Sequence, residues 1–462
     1  MMRPPMSTRL FIITTSLIWL TTMTVNAQEE DPVNEEDISQ IVNAHTRSGN
    51  ETGLNSIRAP GWVNGPNYRG MASLLWSCIF TLFASIYASL RLNVPRMNVS
   101  SGIRSSSKVL TALLALVFPE IMLSFAVEQF YRAYWLREAL NELLEKSDSE
   151  RKSRPYTLTF CFFVDMGGIY LRGENLSRVA LLSSLGAAEM ARRRNFIDIG
   201  SPWISFTSRT TYFTGPLITL QVLWMILNCA VRAGKGLDIS LLEVYTLVGI
   251  LVAIALSLFW HYKPDGPFVP HNLLAEGVNQ EITATELMTE LQQTSSLVAA
   301  PKNRPSGSGK QYKYPPPDSP LLTKPWLLSK NRLSCTRVTT LLMLAQSGLY
   351  LVAWNYPFLT RAEEILWKTA SFYLIGVWIL VGSLCKNDEW WGRMNSIVGF
   401  ISRGKMGVEN ILDNVCLALG MILLVLWISA KTILFVVALT SLRQLSVGTF
   451  VMPSWLAMVP HI

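Results

Sequence analysis

Seven stretches of this chain are each long and apolar enough to cross a bilayer as a helix: Ala72 to Leu90, Val109 to Phe130, Thr211 to Val231, Leu241 to Trp260, Val338 to Trp354, Ile365 to Leu384 and Asn414 to Ala430. About 20 mostly apolar residues span the hydrocarbon. In lipid each segment must satisfy its own backbone polar groups, so the expected fold class is all-α, a polytopic transmembrane helix bundle. Composition agrees. Of 462 residues half are hydrophobic and only 16% are charged, against roughly a quarter charged in soluble domains. Nucleic-acid binding is excluded as a reading of the +8 net charge; basic residues beside lipid instead report which loops stay cytosolic.

Parity adds a crossing. With the N-terminal segment outside and seven spans, residues 132–212, with twelve Lys and Arg against nine acids, would face out. So would the loop 261–337, and the short loop carrying Lys386, Arg393, Arg403 and Lys405 would be misplaced as well. One more crossing at 156–171, "YTLTFCFFVDMGGIYL", repairs all three, and so does a re-entrant hairpin at 109–130. The extra crossing is favoured, because Pro119 in "FPEIM" is tolerable in a helix packed on neighbours. The expectation is eight crossings with both ends outside.

The first 27 residues, with Arg3, Arg9, an apolar run from Leu10 to Leu20 and small residues ending at Ala27, read as a signal peptide. Residues 28–70 follow as a flexible lumenal or extracellular segment carrying a glycosylation acceptor at Asn50. Residues 71–260 form a first transmembrane group, including the basic region 132–210, and residues 338–462 a second. Between them lies the cytosolic loop 261–337, whose Pro- and Ser-rich tract 301–325 cannot bury a core and is read as disordered. The tract is a plain linker or a docking segment for a protein partner.

No catalytic residue, metal ligand or cofactor site emerges. His261 and His271 flank "YKPDGPFVP" with Asp265 between them, too widely spaced for a zinc site. None of G-x-S-x-G, H-E-x-x-H or G-x-x-x-x-G-K-[ST] occurs. Cys78, Cys229 and Cys416 fall inside apolar runs as small core residues, while Cys335 and Cys385 sit at span ends, where packing or palmitoylation would suit them.

Ionisable groups inside spans carry more information, since a charge at the bilayer centre costs about 3 kcal/mol on insertion scales. Glu120, eleven residues into its window and beside Pro119, is expected with Asp165 to line an intramembrane polar site, with Glu128 next in line. Lys431 and Lys368 are expected to snorkel to the interface. Trp354, Trp367, Trp390 and Trp391 are expected as interface anchors.

Several stretches together carry a family resemblance: "LLWSCIFTLFASIYASLRLNVP" at 74–95, "TLTFCFFVDMGGIYL" at 157–171, "GLYLVAWNYPFLTRAEEILWK" at 348–368 and the terminal "SLRQLSVGTFVMPSWLAMVPHI". From about residue 70 onward the chain resembles functionally uncharacterised multi-pass membrane proteins of filamentous and mushroom-forming fungi. The resemblance implies an architecture and a fungal origin, and no catalytic residues. "CFFVDMGG" lacks the His that it would put near Cys161.

The functional expectation is a non-enzymatic membrane protein of the secretory pathway or plasma membrane, acting as channel, transporter or sensor through a polar bundle interior. The alternatives are a scaffold recruiting a partner through 301–325 and, further off, a lipid-modifying enzyme.

Overall fold

The computed structural model describes residues 35–48, 51–64, 69–94, 101–146, 155–172, 179–182, 184–192, 214–265, 271–274, 297–299, 329–384 and 411–451. Five helices there are long and apolar enough to cross a membrane: Met71–Ser89, Leu217–Gly234, Leu241–Phe259, Arg361–Ser383 and Ala418–Arg443. They lie on helices α2 (Met71–Ser89), α7 (Thr214–Gly234), α8 (Leu241–Phe259), α10 (Arg361–Leu384) and α11, which runs Ile411–Thr440 and continues as the 3-10 turn Ser441–Arg443.

The remaining expected spans came out differently. The window at 109–130 is broken into α3 (Ser101–Val117) and α4 (Pro119–Glu145), bent by 113°. Phe118 stands outside helical geometry (φ −122°, ψ 58°) and Pro119 opens the new helix. The proline ring pushes its predecessor out of the α region, and its missing N–H is harmless only in a first turn, so here it starts a helix instead of being absorbed by one. The window at 338–354 lies on α9 (Ser329–Leu349) and the 3-10 turn Tyr350–Ala353. With Lys330, Arg332 and Arg337 in its sequence, α9 falls short of the apolar character of the five.

The crossing expected at 156–171 is not a span. α5 (Leu158–Asp165) is eight residues long. Thr157 caps its start, and Gly167 (φ +83°) ends it: Gly168 N–H donates to Phe163 O (2.8 Å) and Gly167 N–H to Val164 O (3.0 Å). That is the paired bond set by which a left-handed glycine stops a helix. Strand β1 (Ile169–Arg172) follows and joins β2 (Val179–Leu182), β3 (His271–Leu274) and β4 (Leu297–Ala299) in a sheet of order β3-β1-β2-β4. Only the β1–β3 pairing is parallel. The described fold is therefore helical with one small sheet, not purely α. The remaining helices are α1 (Glu35–Ser48), which precedes the spans, and α6 (Ser184–Arg192), which packs on α4.

The helices pack around α8, whose Leu241, Val248, Ile250 and Leu256 are buried. α2 runs parallel to it: Arg69 bonds Glu243 at one end, Leu82 presses on Gly249 in the middle, and Ser257 donates to Ser89 at the other. A side chain at Gly249 would overlap Leu82, so the glycine sets how closely these two helices approach. α9 and α10 form an antiparallel hairpin, with Tyr350 against Trp367 near its turn and Thr340 against Gly382 near its open end. α11 runs antiparallel to α10, joined by Arg443–Glu363 and by Tyr373 Oη–H donating to Leu423 O (2.9 Å).

Residues 57–69 and 445–451 together close one end of the bundle. Ala59 N–H donates to Leu445 O (2.9 Å), Val447 N–H to Ile57 O (2.9 Å) and Arg69 N–H to Phe450 O (3.0 Å). Residues 51–64 lie within the segment expected to be flexible, yet they pack here with Leu54, Ala59 and Val63 buried. Arg232, fully buried, donates to the carbonyls of Val451, Gly448 and Asp238. This is the cap end. The opposite, loop end carries Arg91, Lys263, α5 and α6. Residues 1–27, Asn50, Trp390, Trp391 and the tract 301–325 lie outside the described residues.

Candidate functional site

The break at Phe118 sets Glu120 in the first turn of α4, 2% exposed. A carboxylate there is favoured by the free N–H groups of the helix start. Its first oxygen, Oε1, accepts from Lys431 Nζ on α11 and from Gln346 Nε2 on α9 (2.8 Å). Lys431 lies thirteen residues after Ala418 and twelve before Arg443, halfway along its apolar segment, and is fully buried. Its ammonium also donates to Tyr350 Oη (3.2 Å) and stands 4.7 Å from that ring's centroid. Tyr245 of α8 closes the group, its ring 6.0 Å from that of Tyr350 and its hydroxyl donating to Leu116 O (2.8 Å). Phe118 at the bend packs its ring at a tilt against that of Trp427, one turn before Lys431 on α11, with ring centroids 5.4 Å apart.

Snorkelling, expected for Lys431, is thus replaced by a buried ion pair. The two charges, on α4 and α11, neutralise each other inside the bundle. The pair is incompletely saturated. Glu120 Oε2 and Ser347 Oγ, both buried, have no hydrogen-bond partner among the described residues.

Asp165 does not join Glu120. Arg132 lies twelve residues along α4 from Glu120, about 18 Å of helix, and Asp165, at the end of α5, accepts from Arg132 (3.1 Å) and Ser184 (2.9 Å) near the loop end. Glu128 stands 3.9 Å from Arg132. Beside them is a buried lysine that sequence reasoning passed over. Lys263 Nζ donates to Asn93 Oδ1 and Gln129 Oε1 (both 2.9 Å) and faces the Trp260 ring at 4.6 Å. Trp260 Nε1–H donates to the same Gln129 oxygen (3.0 Å), and Arg91 donates to the Lys263 and His261 carbonyls. Burial pulls the Lys263 ammonium down to about 7, with Asp165 partly opposing it.

Trp367, expected at the lipid boundary, is buried, its indole N–H donating to Tyr350 O (3.1 Å). Its ring meets that of Tyr350 edge-on, with centroids 6.0 Å apart. Trp354 is 41% exposed and carries Lys368 over its ring at 4.5 Å. Lys368 pairs with Glu364 one turn away. His261 is exposed. Burial pushes the Cys161 thiol up to about 12, which leaves it protonated and unreactive.

No curated protein and no solved structure matches this sequence. A family model, described as a family of unknown function (DUF8562), matches residues 46–300 and so covers α2 to α8, the broken α3–α4 pair and Glu120. By that match over more than half of its length, the chain belongs to this uncharacterised family.

Proposed function

We propose that the protein is a multi-pass integral membrane protein that moves a small cationic solute through the centre formed by Glu120 and Lys431. The observation that carries this reading is the ion pair itself: opposite charges buried halfway along the spans, at the tip of a broken helix, with one carboxylate oxygen unused. Ion pairs that only hold a fold gain by saturating every oxygen, and replacing them with apolar residues is often neutral. Ionisable groups kept at mid-membrane depth mark pathways more often than packing.

The membrane setting is supported by the large apolar residues exposed on several helices: Leu217, Leu220, Leu223 and Leu227 on α7, and Leu419, Ile422 and Leu426 on α11. In water such stripes would drive aggregation; facing lipid they cost nothing. The layout we favour has six crossings, on α2, α7, α8, α9, α10 and α11, with α3–α4 as a re-entrant hairpin. α3 starts near the loop end, where Lys108 lies over the Tyr87 ring (4.8 Å), reaches mid-depth at Leu116, and α4 returns to the loop end at Gln129. Parity is then even, and the basic stretches "RKSR" at 151–154 and "RRR" at 192–194 link elements of the loop end. By the positive-inside rule that end faces the cytosol. The secretory pathway or plasma membrane suits the apolar N-terminus, and the family resemblance supports a fungal source.

The test is flux of protons and monovalent cations in proteoliposomes holding the full chain. Wild type is expected to exceed empty vesicles and Glu120→Gln to fall to their level. Equal flux from the two proteins would remove this centre from any pathway.

A further inference from the structure

We propose that the ligand of the Glu120 centre is a proton, taken up on the second carboxylate oxygen while Lys431 stays behind as a tethered cation. The inference rests on the transport reading above but is read out separately from it. A metal cation at this place would need a shell of several oxygens, about six for the common ones. The unused oxygens here are Glu120 Oε2, Gln346 Oε1 and Ser347 Oγ, only one of them charged and too few for that shell, and Glu120 Oε1 already faces an ammonium that would repel a second cation. A proton needs a single lone pair and no shell.

The step balances simply. A hydrated proton gives up its water, an O–H bond forms on Glu120 Oε2, and the centre goes from net zero to one positive charge. The ammonium is not orphaned by this, because the Tyr350 hydroxyl and ring face still hold it. Gln346 still donates to the other oxygen, now the carbonyl of an acid. The titratable groups facing Glu120 are Lys431 on α11, Tyr350 on the turn after α9 and Tyr245 on α8. α9 contributes the uncharged Gln346, and residues 109–117 of α3 include no titratable side chain. Loss of the carboxylate charge loosens the tie between the α4 tip and α11, so proton uptake bears on the hinge at Phe118.

Infrared difference spectra of the full chain in lipid nanodiscs, taken as pH falls, test this. One component of the protonated-carboxyl band of wild type is expected to be lost in Glu120→Gln and displaced in Glu120→Asp, the other carboxyls supplying the remainder. In Lys431→Met, which removes the neighbouring cation, that component should appear at higher pH than in wild type. Lys431→Arg, which keeps the charge if the Met variant fails to fold, should stay near wild type and well below Lys431→Gln. A band of unchanged size in Glu120→Gln, or one midpoint across the Lys431 variants, overturns the proposal. Flux measured in parallel separates the two readings. Titration of Glu120 without flux keeps the proton site and ends the transport reading, whereas Glu120-dependent flux without titration does the reverse.

Discussion

Two of the buried ion pairs among the described residues, Arg69–Glu243 and Lys431–Glu120, differ in how completely they are bonded. At the cap end Arg69 bonds Oε1 of Glu243, while Oε2 accepts from both the backbone N–H (2.9 Å) and the hydroxyl (3.0 Å) of Ser240. Ser240 in turn accepts from Glu243 N–H, completing a capping box at the start of α8. Every oxygen there has a fixed partner. Halfway along the spans, Glu120 spends one oxygen on Lys431 and Gln346 and leaves the other unbonded. The first arrangement is a lock; the second has a place for something to arrive. Burial alone does not mark a functional charge.

The contrast can be broken most forcefully at the cap. Arg69→Met should cost about 3–5 kcal/mol, the usual penalty for stranding a buried charge, seen as a lower unfolding midpoint of the detergent-solubilised protein. Adding Glu243→Met should recover little, because the capping box goes with the side-chain oxygens. Lys431→Met strands Glu120 at a comparable initial cost, but combining it with Glu120→Gln should return most of the stability while flux stays lost. A double variant as unstable as the single would make the central pair a second lock and erase the distinction.

Lys263 gives an intermediate effect. Folded, it holds its proton more weakly (about 7) than the unfolded chain does (10.5). Between those values the unfolded chain binds the proton and the folded one does not, so stability rises with pH across that window and the gain is absent below it. An increase of roughly 1.5 pH units above 7 should add about 2 kcal/mol. Lys263→Met should flatten that slope; a slope unchanged in the variant would assign it to other groups. Gly167→Ala should cost about 1 kcal/mol, from the positive φ that ends α5, by thermal unfolding. Smallest of all, deleting residues 301–325 should leave flux unaltered if the tract only tethers, whereas a scaffold would lose its partner in a pull-down from cells.

The sequence was most readable where a single period ruled. The windows at 72–90, 211–231, 241–260, 365–384 and 414–430 all fall on helices of spanning length and apolarity. Misreadings cluster where a local signal competed with hydropathy. Gly167-Gly168 and Pro119 were both visible, yet apolar neighbours on either side made continuous spans look plausible. Backbone geometry decided otherwise, through a helix stop at the glycines and a fresh helix start at the proline. Lys431 was misplaced because its window was ended at Ala430, although "TILFVVALT" continues to Thr440. Extending the run puts the lysine at its centre, at which point a buried partner follows from cost alone. Trp367 misled for a different reason, since an indole beside a turn reads alike whether it faces headgroups or a neighbouring helix. The partnership of Glu120 with α11 rather than with Asp165 needed the three-dimensional fold, because nothing along the chain encodes which helix neighbours which.

The cap end also constrains how the molecule is made. Arg232 finds its carbonyl acceptors at Gly448 and Val451, more than two hundred residues downstream, and the stretch around Ala59 waits for Leu445. Until the last helix is made, that guanidinium has only the Asp238 carbonyl among these acceptors, and the early segment has its bonds from Asn55 to Gly236 and Asp238 but not those from Ile57 and Ala59. Assembly can therefore finish only after synthesis does, and a chain cut short before Gly448 would leave quality control a conspicuous flaw to recognise.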